Sequence, residues 1–269
     1  MSDFILTTAL KNAVFALIRD CGALIRSAHD IERARGAITD KAGAANYVTV
    51  YDVKVQEKLI AGLTELFPGA QFLAEEKENA PGLLENGLCF IIDPIDGTTN
   101  FIHEMHCSAI SVGLYDRKEP VFGAVYDPYL DEMFWAVRGE GAFLNDRPLG
   151  VADRPLEKAL VSFGSSPYNR REFGDGFFKQ LYRVFLATAD IRRGGSAALD
   201  LCFVAAGRTD AFFEQVLSPW DYAAGYLILR EAGGVITDLR GQPLKIGEKS
   251  SVLAANAVLH KEMLSLLGD

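Results

Sequence analysis

Cysteine is scarce and unpatterned in this chain: Cys21, Cys89, Cys107 and Cys202 lie far apart, with no C-x-x-C among them. That excludes a disulfide framework and a cysteine zinc site. It predicts buried free thiols in a reducing compartment, so a cytoplasmic location is expected. Long apolar runs are also missing. Uncharged stretches such as 105–115 fall well short of the ~20 residues of a membrane-spanning helix. Asp3, Lys11, Arg19 and Asp20 interrupt the start, which lacks the basic opening and apolar block of a signal peptide. Positive charge is in the minority, with 27 Lys+Arg against 36 Asp+Glu and a formal charge of −9. Arg170-Arg171 and Arg192-Arg193 are the obvious basic pairs. Because a phosphate backbone or an anionic membrane draws on clustered Lys and Arg, neither nucleic acid nor membrane is an expected partner.

What is present is a globular composition, 49% apolar over 269 residues, long enough for a full core. Apolar residues recur at helical spacing over 4–29 and again over 53–66, where Asp52 stands in a cap-like position and Pro68-Gly69 is a stop. Between them, the Gly/Ala-rich 36–46 stretch reads as a mobile loop. Short apolar segments at 89–92, 108–115, 121–126, 133–137 and 142–144, separated by turn residues, predict an antiparallel meander. Beyond Pro148 the pattern predicts strands at 160–163, 211–214, 235–238 and 252–255. Helices are expected at 176–186, 197–206 and 222–232, and from Lys261 onward. The fold expected is α/β (α+β), a layered sandwich in two intertwined halves. Residues 1–150 would carry the antiparallel sheet and a metal-binding turn, and 151–269 would complete the active site.

The most informative stretch is Phe90-Ile91-Ile92-Asp93-Pro94-Ile95-Asp96-Gly97-Thr98-Thr99-Asn100-Phe101. An apolar strand runs into two carboxylates, and Pro94 between them predicts a sharp turn that aims both acids, with nearby carbonyl oxygens, at one point. Such an oxygen cage suits Mg²⁺ better than softer metals. Gly97 admits a ligand close to the backbone, and Thr98-Thr99 stand at a helix start, where anions bind well. A single Asp-Gly is more often a surface turn, but the whole stretch is far less common. Haloacid dehalogenase-type phosphatases need an Asp two residues before the second Asp, and here that position is Pro94. Glu75-Glu76 and Trp220-Asp221 add acids that alone would read as a solvated pair and a helix N-cap. His103-Glu104-Met105-His106 is one residue short of a zinc-protease motif, which leaves its histidines structural roles. Gly139-Glu140-Gly141 does not extend to a dinucleotide-binding loop, and Gly194-Gly195-Ser196-Ala197 is no nucleophile elbow.

The 93–101 run, with Glu75-Glu76 before it and Trp220-Asp221-x-Ala-Ala-Gly and Gly233-Gly234 after it, resembles the inositol monophosphatase family of Mg²⁺-dependent, lithium-sensitive phosphatases. The resemblance implies a layered αβαβα sandwich of the sugar-phosphatase type. Two or three Mg²⁺ ions would be held by Glu75, Asp93, the carbonyl of Ile95, Asp96 and Asp221. Gly97 and Thr98 would receive the phosphate. Asp52 would pair with Thr98 near the attacking water, so Glu75, Thr98 and Asp52 are the expected catalytic residues. Ser196, Ala197 and Glu214 would touch polyol hydroxyls, and Lys41 matches a lysine on a mobile loop. A homodimer is also implied. Ala74 departs from the glycine common in the family before the acidic pair.

The expected activity is phosphate release from inositol monophosphate or a related polyol or sugar phosphate by a metal-activated water, without a covalent intermediate. Phosphatases of 3′-phosphoadenosine 5′-phosphate, fructose 1,6-bisphosphate and histidinol phosphate are the rivals within the fold. Glu214 favours a polyol, because a carboxylate accepts hydrogen bonds from hydroxyls and repels a second phosphate. A metal-binding regulatory protein without catalysis would require damage at Asp52, Glu75 or Thr98, and all three are intact.

Overall fold

The period-two alternation in the middle of the chain builds a sheet buried on both faces. A computed structural model describes residues 4–31, 37–40 and 47–268. It places β3 (Gln71–Ala74), β4 (Leu88–Asp96), β5 (Ala109–Asp116), β6 (Glu119–Asp127), β7 (Glu132–Val137), β8 (Gly141–Leu144) and β9 (Arg147–Pro148) in one seven-stranded sheet, in chain order. The β3–β4 pair is parallel and the remainder antiparallel. On β7, Met133 and Trp135 face one core while Phe134 and Ala136 face another. The first core is closed by α1 (Thr8–Arg26) and α2 (Val50–Leu66), which contribute Val14, Ile18, Ile25, Val55, Leu59 and Leu63. The second is closed by α5 (Ala197–Ala205) and α6 (Pro219–Glu231).

Beneath α5 and α6 lies a mixed five-stranded sheet, ordered β11 (Asp190–Arg192), β10 (Leu160–Phe163), β12 (Ala211–Leu217), β14 (Ser250–Ala255) and β13 (Val235–Thr237). Its outer face packs on α4 (Arg170–Ala187) and α7 (Ala257–Leu267) through Phe177, Val184, Leu259 and Met263. Helix pair, sheet, helix pair, sheet and helix pair thus stack as the αβαβα sandwich. A short helix, α3 (Thr98–Ile102), follows β4.

Several element boundaries differ from those expected. Part of the 36–46 stretch is not loop, because β1 (Ile38–Asp40) pairs antiparallel with β2 (Tyr47–Thr49); Gly36 and 41–46 lie outside the described residues. Three residues are too few to show a period, which is why β1 and the polar edge strand β11 escaped notice. Helix α7 starts at Ala257 rather than Lys261 because Asn256 caps it, accepting from the Val258 and Leu259 amides. All four cysteines are free. Among the described residues no helix is long and apolar enough to cross a membrane.

Candidate active site

Strand β4 does not turn at Pro94 as the sequence predicts. It continues to Asp96 with a register break between Asp93 and Asp96, so Pro94 sits in a bulge, where a missing N–H breaks no ladder bond. Three residues apart, Asp93 and Asp96 would face opposite sides of a regular strand. The extra bulge residue returns them to one side. The turn comes at Gly97, whose φ of 92° is the left-handed region that glycine tolerates. A Cβ there would also lie 3.0 Å from the Cys107 carbonyl oxygen and 3.1 Å from that of Gly195.

Two further acids are delivered by the same device. Asp52 and Asp221 were each expected at or as a helix cap, yet the caps are Thr49 and Ser218, and both acids are the third helical residue of a capping box. The Thr49 amide donates to Asp52 Oδ2 at 2.8 Å, and the Ser218 amide donates to Asp221 Oδ2 at 2.7 Å. Each box holds one oxygen and leaves the other available. Asp52 Oδ1 accepts from the Thr98 hydroxyl at 3.4 Å, and the same hydroxyl lies 3.2 Å from the Ile95 carbonyl oxygen.

A third helix start fixes Asp96. Ser196 caps α5 and donates through Oγ to Asp96 Oδ2 at 2.6 Å, and the Ala198 amide donates to the same oxygen at 2.7 Å. Glu214, on β12, accepts at Oε1 from the Ser166 amide at 2.8 Å and from its hydroxyl at 3.0 Å.

These elements enclose one cavity of about 430 Å³. Glu75, Asp93, Ile95, Asp96, Gly97, Thr98, Ser196, Ala197, Glu214 and Asp221 all line it. Asp52 is buried behind Thr98. Lys41 lies outside the described residues. Ala74, at the position where the family commonly has glycine, is fully buried, and the Asn79 side chain bonds both its amide and its carbonyl.

The same cavity exposes residues that sequence reasoning missed, among them Asp200, Arg193, Tyr168 and Lys249. Asp200 had a signal, as the lone charge in the otherwise apolar run 197–205. Tyr168, Arg193 and Lys249 sit among ordinary loop residues and had none.

Asp93, Asp96 and Asp221 each offer an oxygen, and the three oxygens lie within 4.8 Å of one another. At an effective dielectric near 20, two such charges repel by about 3.5 kcal/mol. Burial, then the neighbouring acids, pushes the Asp93 and Asp221 carboxyls well above their ordinary range. Burial also raises Asp52 to about 6 and Glu214 to about 7, against their hydrogen bonds from Thr49 and Ser166. Among the described residues no lysine or arginine forms an ion pair with the three acids. An all-oxygen donor set, buried and uncompensated, fits a hard divalent cation.

Comparison with known proteins agrees with this chemistry. The sequence profile of the Inositol monophosphatase family matches residues 7–269. An inositol-1-monophosphatase of Caulobacter vibrioides is 38% identical over 249 residues, covering 90% of this chain and 96% of the relative. The crystal structure of extragenic suppressor protein suhB from Bartonella henselae superposes with a TM-score of 0.88 at 35% identity, over 97% of this chain and 99% of that one. SaIMPase-II with inositol monophosphate bound superposes with a TM-score of 0.78 at 29% identity, over 96% and 93% of the two chains.

Proposed function

This chain belongs to the inositol monophosphatase family, and we propose that it is a Mg²⁺-dependent phosphomonoesterase acting on inositol monophosphate or a related polyol phosphate. The observation that carries the proposal is the convergence of Asp93, Asp96 and Asp221 beside the Gly97-Thr98 turn. With Glu75 and the Ile95 carbonyl, these acids would hold two or three Mg²⁺ ions. Bound there, Mg²⁺ would neutralise phosphate charge and lower the pKa of a water.

The chain's own groups supply positioning. Gly97 lets phosphate oxygens approach the backbone at the start of α3. The Thr98 hydroxyl has one proton, and Asp52 Oδ1, buried behind it, accepts that proton from the protein side. Its lone pairs therefore face the cavity and can accept a hydrogen from the attacking water. Glu75, on the same wall, takes that water's proton. Ser196 has committed its hydroxyl proton to Asp96 and accepts from the Leu199 amide, so the Ala197 amide is the group of that turn suited to a substrate hydroxyl. Glu214 accepts from further hydroxyls.

A substrate with two phosphates is the second reading, because Arg193 and Lys249 add positive charge to the cavity. Glu214 opposes it. A homodimer belongs to the same proposal: Phe178, Tyr182, Phe185 and Leu186 form an exposed apolar stripe on α4, at helical spacing, opposite the buried Phe177 and Val184.

Phosphate release from inositol, sugar and nucleotide phosphates, with and without Mg²⁺ and Li⁺, tests the reading. The wild type should release phosphate only with Mg²⁺, fastest from inositol 1-phosphate, and Li⁺ should inhibit. Asp96→Asn keeps an oxygen for the Ser196 and Ala198 donors, so it should fold yet lose roughly a thousandfold or more in kcat, the order seen when preorganised charge is removed. Full turnover by this variant would refute the ligand set.

A further inference from the structure

Tyr168 has no part in the reading above, yet it stands at the mouth of the cavity. Its side chain lines the acidic pocket while the residue stays 55% exposed. Together with Trp220 it supplies the aromatic surface of an otherwise mainly polar wall. Among the described residues the Tyr168 ring packs on no other aromatic ring, and its hydroxyl has no hydrogen-bond partner. The residue thus lines the cavity at its solvent-exposed edge.

The turn that bears it is held in one place. Ser166 adopts a φ of 39°, a strained value for a side-chain-bearing residue, and Asn169 donates its amide to the Ser166 carbonyl at 2.9 Å. Besides the two bonds to Glu214, Ser166 Oγ accepts from the Val216 amide at 3.1 Å. At Gly164 a Cβ would lie 1.8 Å from Glu214 Oε2, so only glycine lets the turn close on the carboxylate. A turn stitched to β12 at this many points presents Tyr168 as a fixed wall and not as a swinging loop.

We propose that Tyr168 makes the cavity prefer ring-shaped alcohols as leaving groups, its aromatic face packing against the C–H face of a cyclic polyol. The proposal rests on the phosphomonoesterase reading. An acyclic alcohol such as glycerol presents no comparable flat face, so it gains little from the ring.

The test is kcat and KM for inositol 1-phosphate and glycerol 2-phosphate, with saturating Mg²⁺, for the wild type, Tyr168→Phe and Tyr168→Ala. More than half exposed, Tyr168 is not core, so neither substitution removes core packing. Tyr168→Ala should lower the inositol-to-glycerol ratio of kcat/KM about tenfold, the order expected for one lost apolar contact. The loss should lie in the KM for inositol 1-phosphate, with kcat within about twofold, because the ring touches the alcohol and not the reacting atoms. Tyr168→Phe keeps the face and should keep the ratio within about twofold. An unchanged ratio in Tyr168→Ala, or equal losses on both substrates, overturns the proposal. Failure of the wild type to release phosphate from either ester would instead overturn the phosphatase reading, and this proposal with it.

Discussion

Asp93, Asp96, Asp221 and Glu214 each have one oxygen tied to backbone or hydroxyl donors, and Glu214 shows the consequence most clearly. Its Oε1 is occupied by Ser166 and its carboxyl is raised to about 7, chiefly by burial. Glu214→Gln retains an oxygen for both Ser166 donors, so the 164–169 turn should survive. The amide, however, would accept fewer hydrogen bonds from a polyol. We expect kcat/KM for inositol 1-phosphate to fall about tenfold, against at most about twofold for an aryl phosphate, the order set by one hydrogen bond to a charged group. Steady-state kinetics on the two substrates check this, and equal losses would remove Glu214 from hydroxyl recognition. Asp93, Asp96, Gly97 and Thr98 were legible because they are contiguous. Asp200 was legible in principle, as a charge inside an apolar helix. Tyr168 and Arg193 were not, since nothing in a run such as Ser-Ser-Pro-Tyr-Asn distinguishes a cavity rim from any other turn.

Helix starts are the elements that aim the chemistry. Thr49, Ser196 and Ser218 each cap a helix, and each cap orients an acid: Asp52 and Asp221 from within the box, and Asp96 across the cavity from Ser196. The existence of α2, α5 and α6 could be read from apolar spacing. The first residue of α5, Ala197, was read correctly, but those of α2 and α6 were not, because the reciprocal capping contacts at Thr49 and Ser218 are visible only in three dimensions. Likewise the bulge at Pro94 replaces the turn that proline ordinarily signals, because Asp96 pairs again within the sheet, opposite Ala109. Thr49→Ala removes the acceptor for the Tyr51 and Asp52 amides and a donor to Asp52. It should cost about 1–2 kcal/mol, lowering Tm by roughly 2–8 °C in a chain of this size. With Asp52 loosened behind Thr98, kcat should fall at least about tenfold. Calorimetric melting and turnover measured together check the pair, and a lower Tm with undiminished kcat would detach Asp52 from catalysis.

Over the whole molecule, five layers bury the acids between two sheets, and the outermost layer leaves the α4 stripe uncovered. If a second copy covers it, Phe185→Lys, at a position 51% exposed, should turn a dimer into a monomer by sedimentation without lowering the monomer's Tm. A wild type that sediments as a monomer would contradict that reading. The central claim, that the buried acids exist to hold a divalent cation, is tested most directly by the melting temperature of metal-free protein between pH 5 and pH 8, with and without millimolar Mg²⁺. Asp93 and Asp221 have folded-state pKa values raised well above the unfolded range near 4. The native state therefore holds more protons than the unfolded one, and stability present at low pH is lost as pH rises through the folded values. Without metal, Tm should fall toward pH 8. With Mg²⁺ that fall should be abolished, and Asp93→Asn should gain far less from the ion. An identical pH dependence with and without Mg²⁺ would contradict the claim.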